Sequence, residues 1–358
     1  MRSIGAAGVQ LVRSLRHVLP LPDADIAGLL FMAPSTLLAG LEPPQAEGVA
    51  RLLRDTGVDC VVLGPDDVIE DGVGDHEVAL AVHDVQQVPA ILVEVIKLLG
   101  VDSTTARDLV CSAPAVLLGG ISGATVEALR ARFAPLGAEI DASRTADAVF
   151  DLYLGECPPA VRERALDRLR AALGRLEVAG TAGALVVPGL DHAAAARAWR
   201  ELASADVPAR VVNRAFARYD VVLHAATDGE ALRRHLTDRA GMPARVVPRV
   251  LASLPVVVHR GLRHAALAEI TDELAAAGAT AVVEPLAFQR FGLTLGEVRE
   301  ARPLVPVIAA IAGTDESAAL AGLRARPARV DGRFPPLQAR WLQHELRRAG
   351  VEARLEAT

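Results

Sequence analysis

The chain has 358 residues and a net charge of −6, and 51% of it is hydrophobic although only 3% is aromatic. This length and an interior of Ala, Val and Leu favour several small domains over one large one. No apolar run reaches the length of a membrane-spanning helix and no secretory leader opens the chain, so we expect a soluble protein without a membrane span. Its three cysteines stand in no paired or metal-binding spacing, which fits the reducing cytoplasm.

The charge is unevenly distributed. Residues 1–143 carry 9 basic and 19 acidic side chains, a net −10, against 29 and 25, a net +4, in residues 144–358. Much of the acidity lies between Gly64 and Glu77, which contain no basic residue. This segment is either a solvated linker or a docking strip for a basic partner. The excess of +4 is too dilute to indicate nucleic acid, so we expect no nucleic-acid partner.

An internal repeat organises the sequence. Anchor residues recur 80, 69, 72 and 72 positions apart, at Pro34, Pro114, Gly183, Pro255 and Pro327. A glycine or an aspartate follows each anchor at a constant distance of 23 positions, at Gly57, Gly137, Asp206, Gly278 and Gly350. Such a constant spacing predicts a tandem array of one small module.

The columns after each anchor predict one helix and one strand. Apolar residues 12, 15 and 19 positions after the anchor share one helical face: Ala46/Val49/Leu53, Val126/Leu129/Phe133, Ala195/Ala198/Leu202, Leu267/Ile270/Leu274 and Ala339/Leu342/Leu346. The residue at position 23 predicts a left-handed helix stop. A two-residue alternation follows, at Val58/Cys60/Val62, Ala138/Ile140/Ala142, Val207/Ala209/Val211, Ala279/Ala281/Val283 and Val351/Ala353/Leu355, and predicts a closing strand.

The residues before each anchor predict a strand and two helices. Module 2 gives a strand at His76 to Asp84 and helices at Ala90 to Leu99 and Ser103 to Ser112. Module 4 gives strands at Tyr219 to Leu223 and Val256 to Val258 and helices at Glu230 to Ala240 and Ala244 to Ala252. Fourteen positions before the anchor, a predicted helix stop stands at Pro20, Gly100, Gly241 and Gly313.

These elements predict an α+β fold, a tandem array of about five two-layer modules. Each is ordered strand, helix, helix, strand, helix, strand, with a three-stranded sheet and its helices on one face. The predicted divisions are module 1 at 1–64, without an opening strand, an acidic linker at 65–75, module 2 at 76–143, module 3 at 144–214, with a shortened helix pair, module 4 at 215–286 and module 5 at 287–358. So small a module leaves one sheet face bare, so we expect modules to pack on one another.

The second module resembles a known family. The run ILVEVIKLLGVDSTTARDLVCSAPAVLLGGISGATVEALRARFAPLGAEID resembles the C-terminal domain of the bacterial ribosomal stalk protein, whose fold is shared with the N-degron adaptor of the Clp protease. The resemblance implies the element order given above. It also implies a basic face on the first two helices that recruits translational GTPases, and a bacterial source.

The residues that the resemblance places on this protein-binding face lie in two modules. They are Lys97, Gly100 and Arg107 in module 2 and Arg233, Arg234, Arg239, Gly241, Arg245 and Arg249 in module 4. Module 2 departs from the family pattern, because Val88 and Val93 stand where lysines are usual and Asp102 replaces a glycine. For the arginines of module 4, a solvated helix face is the alternative to a docking face.

No sequence motif points to catalysis, a cofactor or a metal. The glycine cluster at residues 119–123 is interpreted as a strand-to-helix turn rather than a cofactor loop. His192 and His264 share one column and His259 lies five residues before His264, without matching acidic or cysteine ligands. We therefore expect surface or helix-end histidines, no catalytic residues, no cofactor and no metal, with a metal or acid–base role as the alternative.

Three functions remain open from the sequence. The first is a non-enzymatic cytoplasmic repeat protein, a scaffold, adaptor or structural assembly component with protein partners and possible self-association. The second is a translation-linked binder of ribosome-associated GTPases through the arginines around Arg234 and Arg245. The third is an enzyme with a site between modules, for which His259 and His264 would be the first residues to test.

Overall fold

The computed structural model describes residues 1–16, 21–64, 66–67, 69–155, 157–174, 185–203 and 207–357. Three residues of the predicted repeat columns, Pro20, Gly183 and Asp206, lie outside these ranges. The chain forms two compact units: unit 1 comprises Met1–Asp147 and Phe291–Glu356, and unit 2 is built mainly from Ala148–Arg290. Unit 1 therefore contains modules 1, 2 and 5, and unit 2 contains modules 3 and 4.

Module 1 is helical in its described part. Its helices are α1 (Gln10–Leu15), α2 (Asp23–Phe31) and α3 (Pro43–Asp55). The middle strand of the predicted order and the closing strand at Val58 to Val62 are not formed there, and the only strand pairing among its described residues is a bridge between Ser3 and Asp59. In the other modules the opening strand is the centre of the sheet. Because module 1 has no opening strand, its flanking segments lack an edge to pair with, and the prediction of strands there is wrong.

Module 2 follows the predicted order completely. Its elements are β1 (His76–Val82), α4 (Val88–Leu99), α5 (Ser103–Cys111), β2 (Ala115–Ile121), α6 (Gly123–Phe133) and β3 (Ala138–Arg144). β1 pairs antiparallel with both neighbours, with His76 opposite Ile121 on one side and Arg144 on the other. The Asp102 carboxylate accepts from the Thr104 and Thr105 amides and so caps α5.

Module 3 has a shorter arrangement. Its elements are β4 (Phe150–Leu154), α7 (Pro159–Leu173), β5 (Leu185–Leu190), α8 (His192–Ala203) and β6 (Ala209–Asn213). One helix of 15 residues occupies the described part of the region for which a shortened helix pair is predicted.

Module 4 contains both predicted helices in altered form. Its elements are β7 (Arg218–Ala226), α9 (Glu230–Arg234), a π turn (His235–Arg239), α10 (Val247–Leu251), β8 (Val256–Arg263), α11 (His264–Ala276) and β9 (Ala279–Pro285). The helix predicted at Glu230 to Ala240 changes to π geometry at His235, and the Ala240 amide donates to the His235 carbonyl at 3.1 Å. The second helix is shorter than predicted.

Module 5 again has the full order. Its elements are β10 (Phe291–Leu295), α12 (Val305–Ala312), α13 (Glu316–Arg324), β11 (Arg329–Phe334), α14 (Pro336–Arg348) and β12 (Ala353–Ala357). Within the described ranges no single helix is long and apolar enough to cross a membrane. The segments Arg302–Ala312 and Glu316–Arg324 have the length and composition of a span only when taken together, and the chain bends by 120° between them.

The repeat seen in the sequence is confirmed in the fold, which is α+β with four separate three-stranded antiparallel sheets. In each sheet the first strand of the module lies in the centre. The peptide bond before each proline anchor, Pro34, Pro114, Pro255 and Pro327, is cis. The predicted stop glycines have the positive φ that disfavours a Cβ, with 92° at Gly57, 64° at Gly137, 77° at Gly278 and 78° at Gly350. The helical core columns of modules 2, 3 and 5 are buried throughout.

Modules pack on one another inside each unit, as expected. On β4, Leu152 and Leu154 face the helices of module 3, whereas Tyr153 points to the opposite sheet face. There Tyr153 joins Val212, Ala217 and Tyr219 in a second apolar core. The Tyr153 and Tyr219 hydroxyls lie 3.2 Å apart, and burial is the main cause that raises the pKa of each. Module 4 thus covers the sheet face that module 3 leaves bare.

Candidate functional site

The first two helices of module 2 contact module 5. Val88 at the start of α4 and Cys111 at the end of α5 are buried in one apolar cluster with core residues of module 5. Leu337 on α14 packs in turn against both this cluster and the core shared by modules 1 and 2. α14 runs along the turn Val85–Gln87 and along α5. The helix pair predicted to bind protein therefore holds a folded module of the same chain.

Arg107 belongs to this contact. Its Nη1 atom donates to the Ala310 carbonyl near the end of α12 at 2.9 Å, while Nε and Nη2 bond the Asp108 carboxylate at 2.9 and 2.7 Å. The side chain is only 11% exposed. A cation at a helix C-terminus is favourable, because the last carbonyl groups and the helix dipole are negative there. Arg107 is thus engaged inside unit 1 rather than presented on an open basic face.

The other two predicted residues of module 2 have different surroundings. Lys97 is largely exposed and forms an ion pair of 3.5 Å with Glu94. Gly100 ends α4 with a φ of 68°, as its column predicts. Module 1 lies against this end of α4, where the Val9 amide donates to the Leu98 carbonyl at 3.0 Å.

Module 4 presents the arginine face predicted from the sequence. All five arginines, Arg233, Arg234, Arg239, Arg245 and Arg249, are exposed. Gly241 ends the π-turn segment with a φ of 66° and open space around it. The helices of this face come from α9, the π turn and α10, the counterparts of the helix pair in module 2.

The five arginines differ in their partners. Arg233 bonds Asp228 at 2.7 and 2.5 Å, and Arg234 bonds Glu230 at 2.7 Å. Arg245 and Arg249 have no ion pair with any residue in the described ranges. Exposed pairs such as Arg234–Glu230 contribute little to stability, so an acidic partner can replace their carboxylates at small cost.

A buried histidine pair lies behind this face. The Nε2 atoms of His235, on the π turn, and His259, on β8, are 2.9 Å apart with the rings 78° from parallel. Each residue is 7% exposed. The Nδ1 atom of His235 lies 3.0 Å from a carboxylate oxygen of Glu273 on α11. Two imidazoles and a carboxylate therefore form one chain of hydrogen bonds.

A surface arginine extends this chain. Arg239 bonds Glu273 at 3.1 and 3.2 Å and also bonds Glu269. Because a carboxylate accepts only, we assign the Nδ1 proton of His235 to the bond with Glu273. The Nε2 atom of His235 is then the acceptor, and His259 donates its Nε2 proton to it. Burial first, and then the charges of His235 and Arg239, lower the pKa of His259.

The histidine column recognised in the sequence has a packing role. The ring of His264 lies edge-on to Tyr219 with centroids 6.0 Å apart, and His192 lies against Phe150 at the same distance. In modules 3 and 4 the histidine that opens the long helix thus packs on the first aromatic residue of the central strand. This finding accounts for the shared column without catalysis.

The glycine cluster at residues 119–123 forms the predicted strand-to-helix turn. Ser122 caps α6 through the Thr125 amide. The Ser122 and Thr125 hydroxyls then donate to the Ala33 and Phe31 carbonyls of module 1. The turn is used for packing between modules.

The described residues of the acidic segment form neither helix nor strand before His76. Among its described residues, Asp75 bonds Arg144 at 2.9 to 3.0 Å, and the Gly72 amide donates to the Pro34 carbonyl at 2.7 Å. Four exposed carboxylates make no ion pair with a described residue: Asp66, Asp67, Glu70 and Asp71.

Comparison with known proteins identified no relative of this chain. Neither models of protein families, nor curated proteins, nor solved structures gave a match to the chain. In the described ranges no group of three or more His, Cys, Asp or Glu side chains is placed to hold a metal ion.

Proposed function

We propose that this chain is a non-enzymatic protein-interaction scaffold of the cytoplasm whose modules hold folded protein through the face of their first two helices. The observation that carries the proposal is the contact between modules 2 and 5, where Val88, Cys111 and Arg107 receive α12 and α14. This face already binds a folded domain inside the chain. The same face on module 4 is available to an external partner.

Charge indicates the kind of partner that module 4 takes. Five exposed arginines lie on α9, the π turn, α10 and the turn before α10, and Arg245 and Arg249 have no carboxylate partner in the described part of the chain. Such a surface attracts an acidic protein surface and orients it as it approaches. The exposed carboxylates of residues 66–71 give a second copy of this chain suitable chemistry as well, which is the basis for self-association.

A translational GTPase is the second candidate partner of this arginine face. The supporting observation is that Arg234 on α9 and Arg245 in the turn before α10 are both exposed, in the region that corresponds to the binding helices of the resembling family. The two candidates differ only in what the face holds, so one experiment addresses both.

Capture from cell extract by the tagged full chain is the test, with Arg234→Glu/Arg245→Glu as the variant. We expect wild type to retain a defined set of proteins at low salt and the variant to lose them at least about tenfold, since reversed charge repels an acidic partner. Arg324→Glu/Arg347→Glu, which reverses two exposed arginines of module 5, is the matched control and should bind as wild type does.

Co-sedimentation with ribosomes and purified translational GTPases decides between the candidates. Binding of these GTPases that is lost in the same variant selects the translation-linked function. Captured proteins that include neither GTPases nor ribosomes select the scaffold. A wild-type chain that captures nothing and stays monomeric at low salt contradicts both.

A further inference from the structure

We propose that His235, His259 and Glu273 form a proton-operated latch that holds the π turn of module 4 closed at neutral pH and releases it in acid. The latch concerns the conformation of His235–Arg239 alone. It therefore stands or fails independently of what the arginine face binds.

The geometry of the latch limits how many protons the closed state can carry. With the Nε2 atoms 2.9 Å apart, one nitrogen must accept while the other donates. With one added proton the contact still has one donor and one acceptor, whether the proton goes to Nδ1 of His259 or, after a change of the His259 tautomer, to Nε2 of His235. A second proton would put two N–H groups face to face inside a buried site, which opens the contact.

Charged groups lie on the elements packed around the histidine pair. α11 contributes Glu273 and Glu269, the π turn contributes Arg239, and β7 contributes Asp220, whose carboxylate accepts from the Gly261 amide at 2.9 Å. Glu273 lies 3.0 Å from the Nδ1 atom of His235. For His259, burial and the charges of His235 and Arg239 lower the pKa, and the opposing charge of Glu273 is the smallest of these effects.

The sign of the pH effect follows from proton uptake. Burial holds the pKa of His259 below the ordinary value of 6.5 in the closed state, whereas an opened turn restores ordinary histidines. The opened state therefore binds more protons than the closed state below about pH 6.5. Acid favours opening, and the effect disappears above that pH.

The latch couples the buried pair to the surface. His235 follows Arg234 directly and Arg239 closes the same turn, so release of the imidazoles frees the segment that positions both arginines. Leu232 on α9 is fully buried and keeps that helix in the core of module 4, and Leu236 inside the turn is fully buried as well. The predicted motion is thus confined to the turn and its arginines.

Hydrogen–deuterium exchange of the full chain tests the latch. After correction for the intrinsic exchange rate, the opening equilibrium of residues 235–240 should rise about tenfold to a hundredfold between about pH 7.5 and about pH 5.5, for one or two protons taken up. In His235→Gln/His259→Gln this rise should be absent, because glutamine amides bond without titrating. His224→Gln replaces an exposed histidine of the same module and should keep the wild-type response.

Two results overturn the proposal. One is a wild-type turn whose corrected exchange is unchanged over this range, and the other is an equal rise in the double glutamine variant. If the double variant does not fold, the titration of the His259 imidazole is measured by NMR in the wild-type chain instead. The latch requires His259 to titrate below the ordinary histidine range, and a titration at the ordinary value contradicts it.

Discussion

Replacement of Phe133 by alanine is expected to lower the free energy of unfolding of unit 1 by about 3–5 kcal/mol. Phe133 is the last core residue of α6 and is fully buried in the cluster shared by modules 1 and 2. Removing its ring takes away apolar contacts and leaves a cavity that the flanking helices fill only in part. Since one cluster joins the two modules, both should lose stability together.

The two tryptophans make this measurement specific. Trp341 lies in unit 1 and Trp199 in unit 2, so denaturation followed by fluorescence in a Trp199→Phe background reports unit 1 alone. A signal specific to one unit is needed because a chain of two units need not unfold in one step. Leu52→Ala is the control: Leu52 is 66% exposed on α3, and its loss should change stability by no more than about 0.5 kcal/mol. A loss below about 1 kcal/mol for Phe133→Ala would contradict the assigned core.

The second large effect is expected from Leu337→Asp, which should release module 5 from module 2. Leu337 packs against the apolar clusters of both, and a carboxylate there regains its hydration only if the contact opens. Cys111 reports the opening, because burial raises the pKa of its thiol to about 12 from the ordinary 9.0. A pKa difference of about three units changes the fraction of thiolate, the form that reacts, by about a thousandfold. Alkylation of Cys111 should therefore accelerate by up to about that factor.

The alkylation rate is measured in a Cys60→Ser/Cys157→Ser background, which leaves Cys111 as the only thiol. Arg347→Asp introduces the same side chain at an exposed position of α14 and should leave labelling slow. Circular dichroism distinguishes release from unfolding, because a released module 5 keeps its own helices and sheet. Slow labelling in folded Leu337→Asp would show that Leu337 does not hold the contact.

Local periodicity is why so much of the fold could be predicted from the sequence. The spacing of Val126, Leu129 and Phe133 predicts that they share one face of a helix, and all three side chains are buried. Gly137 was predicted as a left-handed stop and has that geometry. Helix faces, stops and strand alternation depend on neighbours within a few positions, so each copy of the repeat carries them independently.

Contacts between distant parts of the chain could not be predicted in the same way. His235 and His259 lie 24 positions apart on different elements, and no column of the repeat links them. Arg107 and Ala310 lie 203 positions apart. A repeat predicts that modules pack on one another but not which modules are neighbours. The contact between modules 2 and 5 could therefore not be predicted from the sequence.

The arginine face could be predicted in part. The resemblance placed Arg245 and Arg249 on an exposed helix. Both are exposed and Arg249 lies on α10, but Arg245 lies in the turn before it, because α10 begins only at Val247. It also placed Arg107 on such a face, but the approach of α12 buries that side chain. The corresponding face is therefore exposed in one module and occupied in another, according to which neighbour packs there.

The central claim is that the helix pair of module 2 is a protein-binding face, and the most direct test is Arg107→Glu in the full chain. The change removes the bond to the Ala310 carbonyl and places a carboxylate at the negative end of α12. Deuterium uptake should rise in α12 and α14 and stay unchanged in unit 2, and Arg107→Lys, which keeps the charge, should restore much of the protection. Unchanged uptake in α12 and α14 of the glutamate variant would contradict the claim.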